Sequence, residues 1–273
     1  MKTSMRVKKT EILASLLLLL TTTTSARQSN AEKATEVNTK QVQAQSTDEL
    51  VLVDVVVMNP GHTLAEREAY EAAVLPIAEK YDMEKTDSYE VVQHLNGKAK
   101  DAIKVNLWDL PSPQAMKQLN QDPEYQALES ERQKLHNFNQ LTLYTAKPVQ
   151  DAAEEDGDLI LVDMVVMNPG FGIEEREEYE AKVLPIAARY GMERTHSYKT
   201  ADYLNGSIED VVKVNLWRLP DAEAMEKLNQ DPEYQALEAE RNRLHNFNEL
   251  TLYLAKPTEQ TNLQYQSRFY RLP

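Results

Sequence analysis

Arg132 and His136 stand four positions apart, and Arg241 and His245 repeat the pair. On a helix that spacing puts a guanidinium and an imidazole on one face. Together they could hold a carboxylate or move a proton near neutral pH. Because the helical pattern ends near Asn137, the plainer reading is preferred: each histidine sits at a helix C-terminus and meets its last carbonyls. A second set falls on predicted strands, where Asp54, Asn106, Trp108 and Tyr144 return as Asp163, Asn215, Trp217 and Tyr253. Asp54 with Lys104, and Asp163 with Lys213, have the chemistry of a perturbed acid or base in a pocket. A cross-strand ion pair at a seam between two halves is the preferred alternative. The Trp and Tyr rings would either cap an apolar ligand or fill the space between packed sheets. Motifs for dinucleotides, phosphates, nucleophile elbows and zinc helices are missing, and no metal constellation stands out, so neither cofactor nor metal is expected. Glu174, Glu175, Glu177 and Glu178 read as the solvated face of a helix.

Every candidate comes in duplicate because the chain repeats itself. Met58-Asn59-Pro60-Gly61 returns 109 positions later as Met167-Asn168-Pro169-Gly170, and the same offset carries Trp108 to Trp217 without insertion or deletion. That period is too long for a solenoid unit and suits a whole small domain. His62 against Phe171, and His94 against Tyr203, break the symmetry, so a single site near them would be asymmetric.

The elements that must position these residues can be read within each copy. Leu50 to Met58 is a β-branched run closed by Asn-Pro-Gly, a turn former. From Leu64 to Tyr81 the residues Tyr70, Val74, Ile77, Ala78 and Tyr81 recur at helical spacing, and Pro76 is expected to kink that helix. Glu84 to Leu95 and Ala102 to Leu110 read as strands joined at Asn96-Gly97. A helical stretch from Ser112 to Asn137, breaking at Asp122-Pro123, leads to a last strand at Leu141 to Ala146. The order β-α-β-β-α-β is the ferredoxin-like arrangement. Alternation places Val51, Val53, Val55 and Val57 on one sheet face, expected to lie under the helices. The mixed face holds Asp54, Lys104, Asn106, Trp108, Thr142 and Tyr144. Two such faces pressed together would enclose an aromatic pocket between the sheets.

Composition sets outer limits. The chain has 273 residues, no cysteine and a formal net charge of −14, which argues against nucleic acid as a partner and excludes disulfide and thiolate chemistry. Lys2, Arg6, Lys8 and Lys9 before a short apolar run, Ile12 to Leu20, predict a signal peptide over 1–31, with cleavage after Ala26 or Ala31. Export to the periplasm or the exterior is expected, with no stable membrane insertion afterwards. The rest divides into a flexible spacer (32–48), a first repeat (49–148), an acidic linker (149–158), a second repeat (159–257) and a tail (258–273).

The segment from Leu110 to Arg132, with Asp122-Pro123-Glu124-Tyr125-Gln126-Ala127-Leu128, resembles the signature of the DUF1330 domain, and Asp231 to Leu237 with Arg241 repeats it. The resemblance covers most of both copies. It implies an α+β fold in which two ferredoxin-like βαββαβ repeats pair as an intramolecular dimeric α/β barrel. DUF1330 carries no assigned activity. The haem-degrading relatives of that fold use an Asn in the first strand with a Trp and a His on the second helix. Asn59 matches the first, but Lys117 and Ala127 stand where the others would fall, so haem degradation is not expected.

Three functions follow as expectations. The preferred one is an exported protein that binds a small apolar or amphipathic ligand between its sheets. The second is a cofactor-independent oxygenase or isomerase using Asp54, Asn106 or His136 in the same interior. The third is an envelope protein-interaction module engaging partners through acidic helices.

Overall fold

A computed structural model of the chain describes residues 50–149 and 159–258. The predicted signal peptide, the spacer, nearly all of the linker and nearly all of the tail lie outside the described residues. The first repeat contains β1 (Leu50–Val57), α1 (Leu64–Glu79), β2 (Glu84–Asn96), β3 (Ala102–Leu110), α2 (Pro113–Gln121), α3 (Pro123–Ala127), α4 (Glu129–Leu135) and β4 (Thr142–Pro148). The second contains β5 (Leu159–Val166), α5 (Ile173–Ala188), β6 (Glu193–Asn205), β7 (Val211–Leu219), α6 (Glu223–Gln230), α7 (Pro232–Ala236), α8 (Glu238–Leu244) and β8 (Thr251–Pro257). No helix among the described residues is long and apolar enough to cross a membrane.

The eight strands close in the order β1-β3-β2-β8-β5-β7-β6-β4. Both joints between the repeats, β2 with β8 and β4 with β6, are antiparallel ladders. Closure removes every free sheet edge. The chain is therefore an intramolecular pseudo-dimer of ferredoxin-like units. The long strands β2 and β6 make the joints, and each ends in a glycine that has no room for a side chain. A Cβ on Gly97 would lie 2.3 Å from Thr251 Oγ1 and 2.5 Å from the Leu250 carbonyl oxygen, at a φ of +90°. Gly206 packs against Thr142 in the same way. Asn96 Nδ2 donates to the carbonyls of Phe247 and Leu250, and Asn205 Nδ2 to those of Phe138 and Leu141, tying each repeat to the other.

The two sheet faces take the opposite roles from those expected. Val51, Val53, Val55 and Val57 point into the barrel, where they pack with Val105, Leu107, Ile160, Val162, Met164 and Leu216 from both repeats. The mixed face lies under the helices instead. Where two sheets close on each other no helix can supply polar partners, so only the aliphatic rows can meet there without cost. Register also divides the expected site. Val53 pairs with Tyr144 while Asp54 pairs with Asn106 and Leu143. Tyr144 and Tyr253 consequently face the barrel interior, away from Asp54, Asn106 and Trp108. The fourth strand thus lies one residue out of phase with the expected alternation.

Helix α1 begins at a capping box, Thr63 with Glu66, and runs through Pro76 to Glu79. Its buried stripe is Arg67, Tyr70, Glu71, Val74, Ile77 and Ala78. The expected second helical stretch forms three short helices. The first break falls at Asp122, which caps α3 by accepting from Glu124 N at 2.7 Å and Tyr125 N at 3.2 Å. Pro123 follows at the first helical position, where its missing donor does no harm.

Candidate functional site

Beneath α1, the polar row of the sheet meets two charged residues of the helix. Arg67 Nη2 bonds Asp54 Oδ2 at 3.0 Å and Glu71 Oε1 at 3.0 Å. Glu71 Oε2 receives Lys85 Nζ at 3.0 Å and Lys104 Nζ at 2.9 Å. Asn106 Nδ2 donates to both carboxylates, at 3.1 Å to Asp54 and 2.8 Å to Glu71. Ser88 Oγ donates to Asn106 Oδ1 at 2.7 Å, fixing the amide orientation. Lys104 is only 1% exposed, a burial that lysine tolerates only when paired. Its partner is Glu71, not Asp54: Lys104 stands opposite Val56 in the ladder, so the expected Asp54–Lys104 pair does not form. Neither does Asp163–Lys213, since Lys213 Nζ bonds Glu180 Oε2 at 2.6 Å.

His136 joins this network from the end of α4. A short bridge between Met58 and His136, with Asn59 N bonded to the Leu135 carbonyl at 2.8 Å, docks the helix end on β1. Asn59 Nδ2 donates to the Gln133 and Lys134 carbonyls, so the turn residue caps the helix and takes no part in the cavity. His136 Nδ1 lies 2.9 Å from the Arg132 carbonyl, as a helix-terminal histidine should, while Nε2 lies 2.8 Å from Arg67 Nη1. The first contact makes Nδ1 the donor and leaves Nε2 to accept from the guanidinium. Burial, reinforced by the Arg67 charge, pushes the imidazole down to about 4, so it is neutral at pH 7. With both nitrogens engaged, His136 offers no lone pair to a haem iron. Burial holds the Asp54 carboxyl above its usual range, with Arg67 and Asn106 offsetting only part of that. Burial alone would also raise Glu71, but the charges of Arg67, Lys85 and Lys104 bring it down to about 2.

Beside the network lies a cavity of about 110 Å³, lined by apolar residues that include Leu52, Val74, Trp108 and Phe138, and by Asp54, Arg67, Tyr70, Tyr125, Arg132 and His136. Three buried donors on its wall have no hydrogen-bond partner: Arg67 Nε, Tyr70 Oη and Arg132 Nη1. The Arg132 guanidinium lies 4.5 Å from the centre of the Tyr125 ring. This explains the Asp-Pro-Glu-Tyr segment: Asp122 starts the helix, and Tyr125 props the arginine seven residues on against the cavity. A larger recess of about 460 Å³ between α5 and α7 is lined by Lys182, Arg189 and Glu233. Its charges are spent on each other or on Glu240 and Asp231, so it offers nothing to a ligand.

The second repeat rebuilds the network with Asp163, Arg176, Glu180, Arg194, Lys213, Asn215, Ser197 and His245. Asp54, Asn106, Trp108, Arg132 and His136 thus converge in the first repeat, and Asp163, Asn215, Trp217, Arg241 and His245 are arranged alike in the second. Sequence reading missed Arg67, Glu71 and Lys85. The signal was present: carrying the Tyr70–Val74 stripe back by one turn reaches Arg67 and Glu71. Of the symmetry-breaking residues, His62 bonds Glu66 at 3.1 Å and His94 packs on Tyr253, so neither enters the cavity wall. No group of residues suited to a metal ion occurs among the described residues.

No curated protein sequence matches the chain. Among solved structures, an anthrone oxidase-like protein is 11% identical, with 78% of this chain and 92% of that one covered, at a TM-score of 0.51. A mutant chlorite dismutase from Candidatus Nitrospira defluvii is 12% identical, covers 80% of this chain and 94% of its own, and has a TM-score of 0.50. At such identity these likenesses speak for the fold, a dimeric α/β barrel, and for nothing more. Residues 172–252, within the second repeat, match the family described as Domain of unknown function (DUF1330).

Proposed function

We propose that this protein binds a small amphipathic ligand in the cavity between the outer face of the sheet and the helices. One observation carries the reading: an apolar cavity whose wall holds buried donors left without partners. An unmet buried donor costs about 1–3 kcal/mol, a cost that a bound oxygen atom removes. The volume suits a single ring or a short branched chain, since an engineered cavity of about 150 Å³ in another protein takes benzene. The barrel interior is a poorer candidate, because side chains of both repeats fill it. Trp108 lines the cavity and reports on it. In the Trp217→Phe protein, titration with benzyl alcohol should produce a saturable change in tryptophan emission. A strictly linear response, the same as that of free tryptophan, would sink the reading.

A second reading, an enzyme of the oxygenase or isomerase class, is favoured by Asp54. A buried carboxyl raised above its usual range beside a neutral imidazole is poised for proton transfer. Replacing Asp54 and Asp163 together by Asn separates the two. Turnover should vanish in an enzyme, whereas a binder should retain most of its affinity. Export belongs to the same proposal, supported by the basic N-terminus and the run Ile12 to Leu20. N-terminal sequencing of protein recovered from the cell envelope tests it.

A further inference from the structure

Resting on the ligand-binding reading, we infer that the ligand is a small apolar monocarboxylate and that the second repeat holds a second site for it. The charge comes first. Among the residues lining the first cavity two are guanidinium cations, Arg67 and Arg132, and one is a carboxylate, Asp54, so cations outnumber carboxylates on its wall. Arg132 makes no ion pair among the described residues, and its Nη1 is buried without a hydrogen-bond partner. Tyr70 Oη, on the same wall, is in the same condition. A guanidinium N–H and a phenol O–H converging on one apolar cavity match the two oxygens of a carboxylate, whose charged hydrogen bonds are about twice as strong as neutral ones. The other polar residues of the wall, Asp54, Arg67 and His136, are bonded to one another and the rest is hydrocarbon and aromatic, which rules against a second charge on the ligand. The volume limits its body to about the size of a benzene ring.

The second site follows from what duplication left alone. The repeats differ at buried positions, such as Val55 against Met164 and Ala99 against Ile208. Yet every residue lining the first cavity returns unchanged 109 positions later. Tyr179 Oη and Arg241 Nη1 are buried and unpartnered there too, with Arg241 4.5 Å from the Tyr234 ring centre. The copies differ in one donor. Arg67 Nε is unpartnered, whereas Arg176 Nε bonds Glu180 Oε1 at 2.8 Å. The first site has one more free donor and is the tighter of the two.

The test is calorimetric titration of the full chain with sodium benzoate, with benzamide as the uncharged counterpart of like shape. Two benzoate sites per chain are expected, with benzamide weaker by about tenfold or more, the effect of losing a charged hydrogen bond. Arg132→Met should abolish the tighter site and Arg241→Met the weaker one. Tyr70→Phe and Tyr179→Phe should each weaken their own site severalfold. Neither hydroxyl makes a hydrogen bond of ordinary geometry, though each lies close enough to couple to Arg132 or Arg241, so the phenylalanine variants remain informative even if the arginine variants fail to fold. Benzamide binding as well as benzoate, or benzoate indifferent to all four substitutions, would overturn the carboxylate while leaving a ligand cavity in place. A single benzoate site removed by Arg132→Met alone would overturn the second site. If neither compound binds, the ligand-binding reading falls as well.

Discussion

Each sheet of this protein has two buried faces that are held together by different physics. Inside the barrel, rows of Val, Leu, Ile and Met from both repeats interlock, and stability there comes from apolar burial and close packing. On the outer face, Asp54, Lys104 and Asn106 lie equally far from water but are joined to Arg67 and Glu71 of the covering helix. The first face can meet only its own kind. The second can be polar because the helix brings complementary charges with it. Tyr144 leaves one hydroxyl unmet inside the barrel, but a cavity walled by several unmet donors occurs on the second face, and that is where chemistry can be sought.

The sharpest way to break this contrast is to remove Glu71, which neutralises three buried cations at once. Glu71→Ala should cost about 3–5 kcal/mol, read from urea unfolding, because Lys85 and Lys104 lose the carboxylate they share and Arg67 is left with Asp54. Unchanged stability would mean that the charges are far wetter than their burial indicates.

Acid should attack the outer face before the interior. His136 and His245, each held at about 4, bind fewer protons folded than unfolded between about pH 6.5 and 4. Stability therefore falls as pH drops through that window, by up to about 3 kcal/mol per histidine at the lower end. Asp54 and Asp163, raised by burial, oppose this in sign, since their folded forms hold protons longer than their unfolded ones. Glu71 and Glu180, lowered to about 2, contribute stability that is full above about pH 4.5 and is lost on the way down to 2. Melting curves at pH 7 and 5 of the wild type and of His136→Gln test the histidine part. An equal fall in both would acquit His136.

The joints between the repeats should yield next. Gly97→Ala puts a methyl group against the Thr251 backbone at a φ of +90° and should cost about 1–3 kcal/mol, with Gly206→Ala similar. A melt unaffected by either would show that the joint is loose.

The smallest effects distinguish the faces most finely. Val53→Thr puts a hydroxyl into the hydrocarbon interior and should cost about 1–3 kcal/mol. Tyr70→Phe removes a hydroxyl that already lacks a partner and should change stability by less than about 0.5 kcal/mol. Reversal of that order in chemical denaturation would overturn the distinction between the faces.

Much of the fold was legible because its causes are local. Alternation in Leu50 to Val57, the helical stripe from Tyr70 to Ile77, the Asn-Gly turn and the exact repeat predict two ferredoxin-like units, and residues of both copies build the barrel. His136 was readable as a helix-terminal residue for the same reason, since its Nδ1 partner is the Arg132 carbonyl four residues earlier. What alternation does not carry is which side of a sheet is inside. It separates two sets of residues without saying what will cover each, and the polar set looked like the lining of a pocket between sheets. Only when α1 lies across β1 and β3 do Arg67 and Glu71, distant in the chain, meet Asp54, Lys104 and Asn106. The same closure turns Tyr144 away from Asp54, because a one-residue phase in the last strand exchanges its faces. Secondary structure and duplication are written in near-neighbour preferences, so the sequence by itself determined them. The placement of the charges and the cavity depends on which surfaces bury each other, and only the tertiary structure decided that.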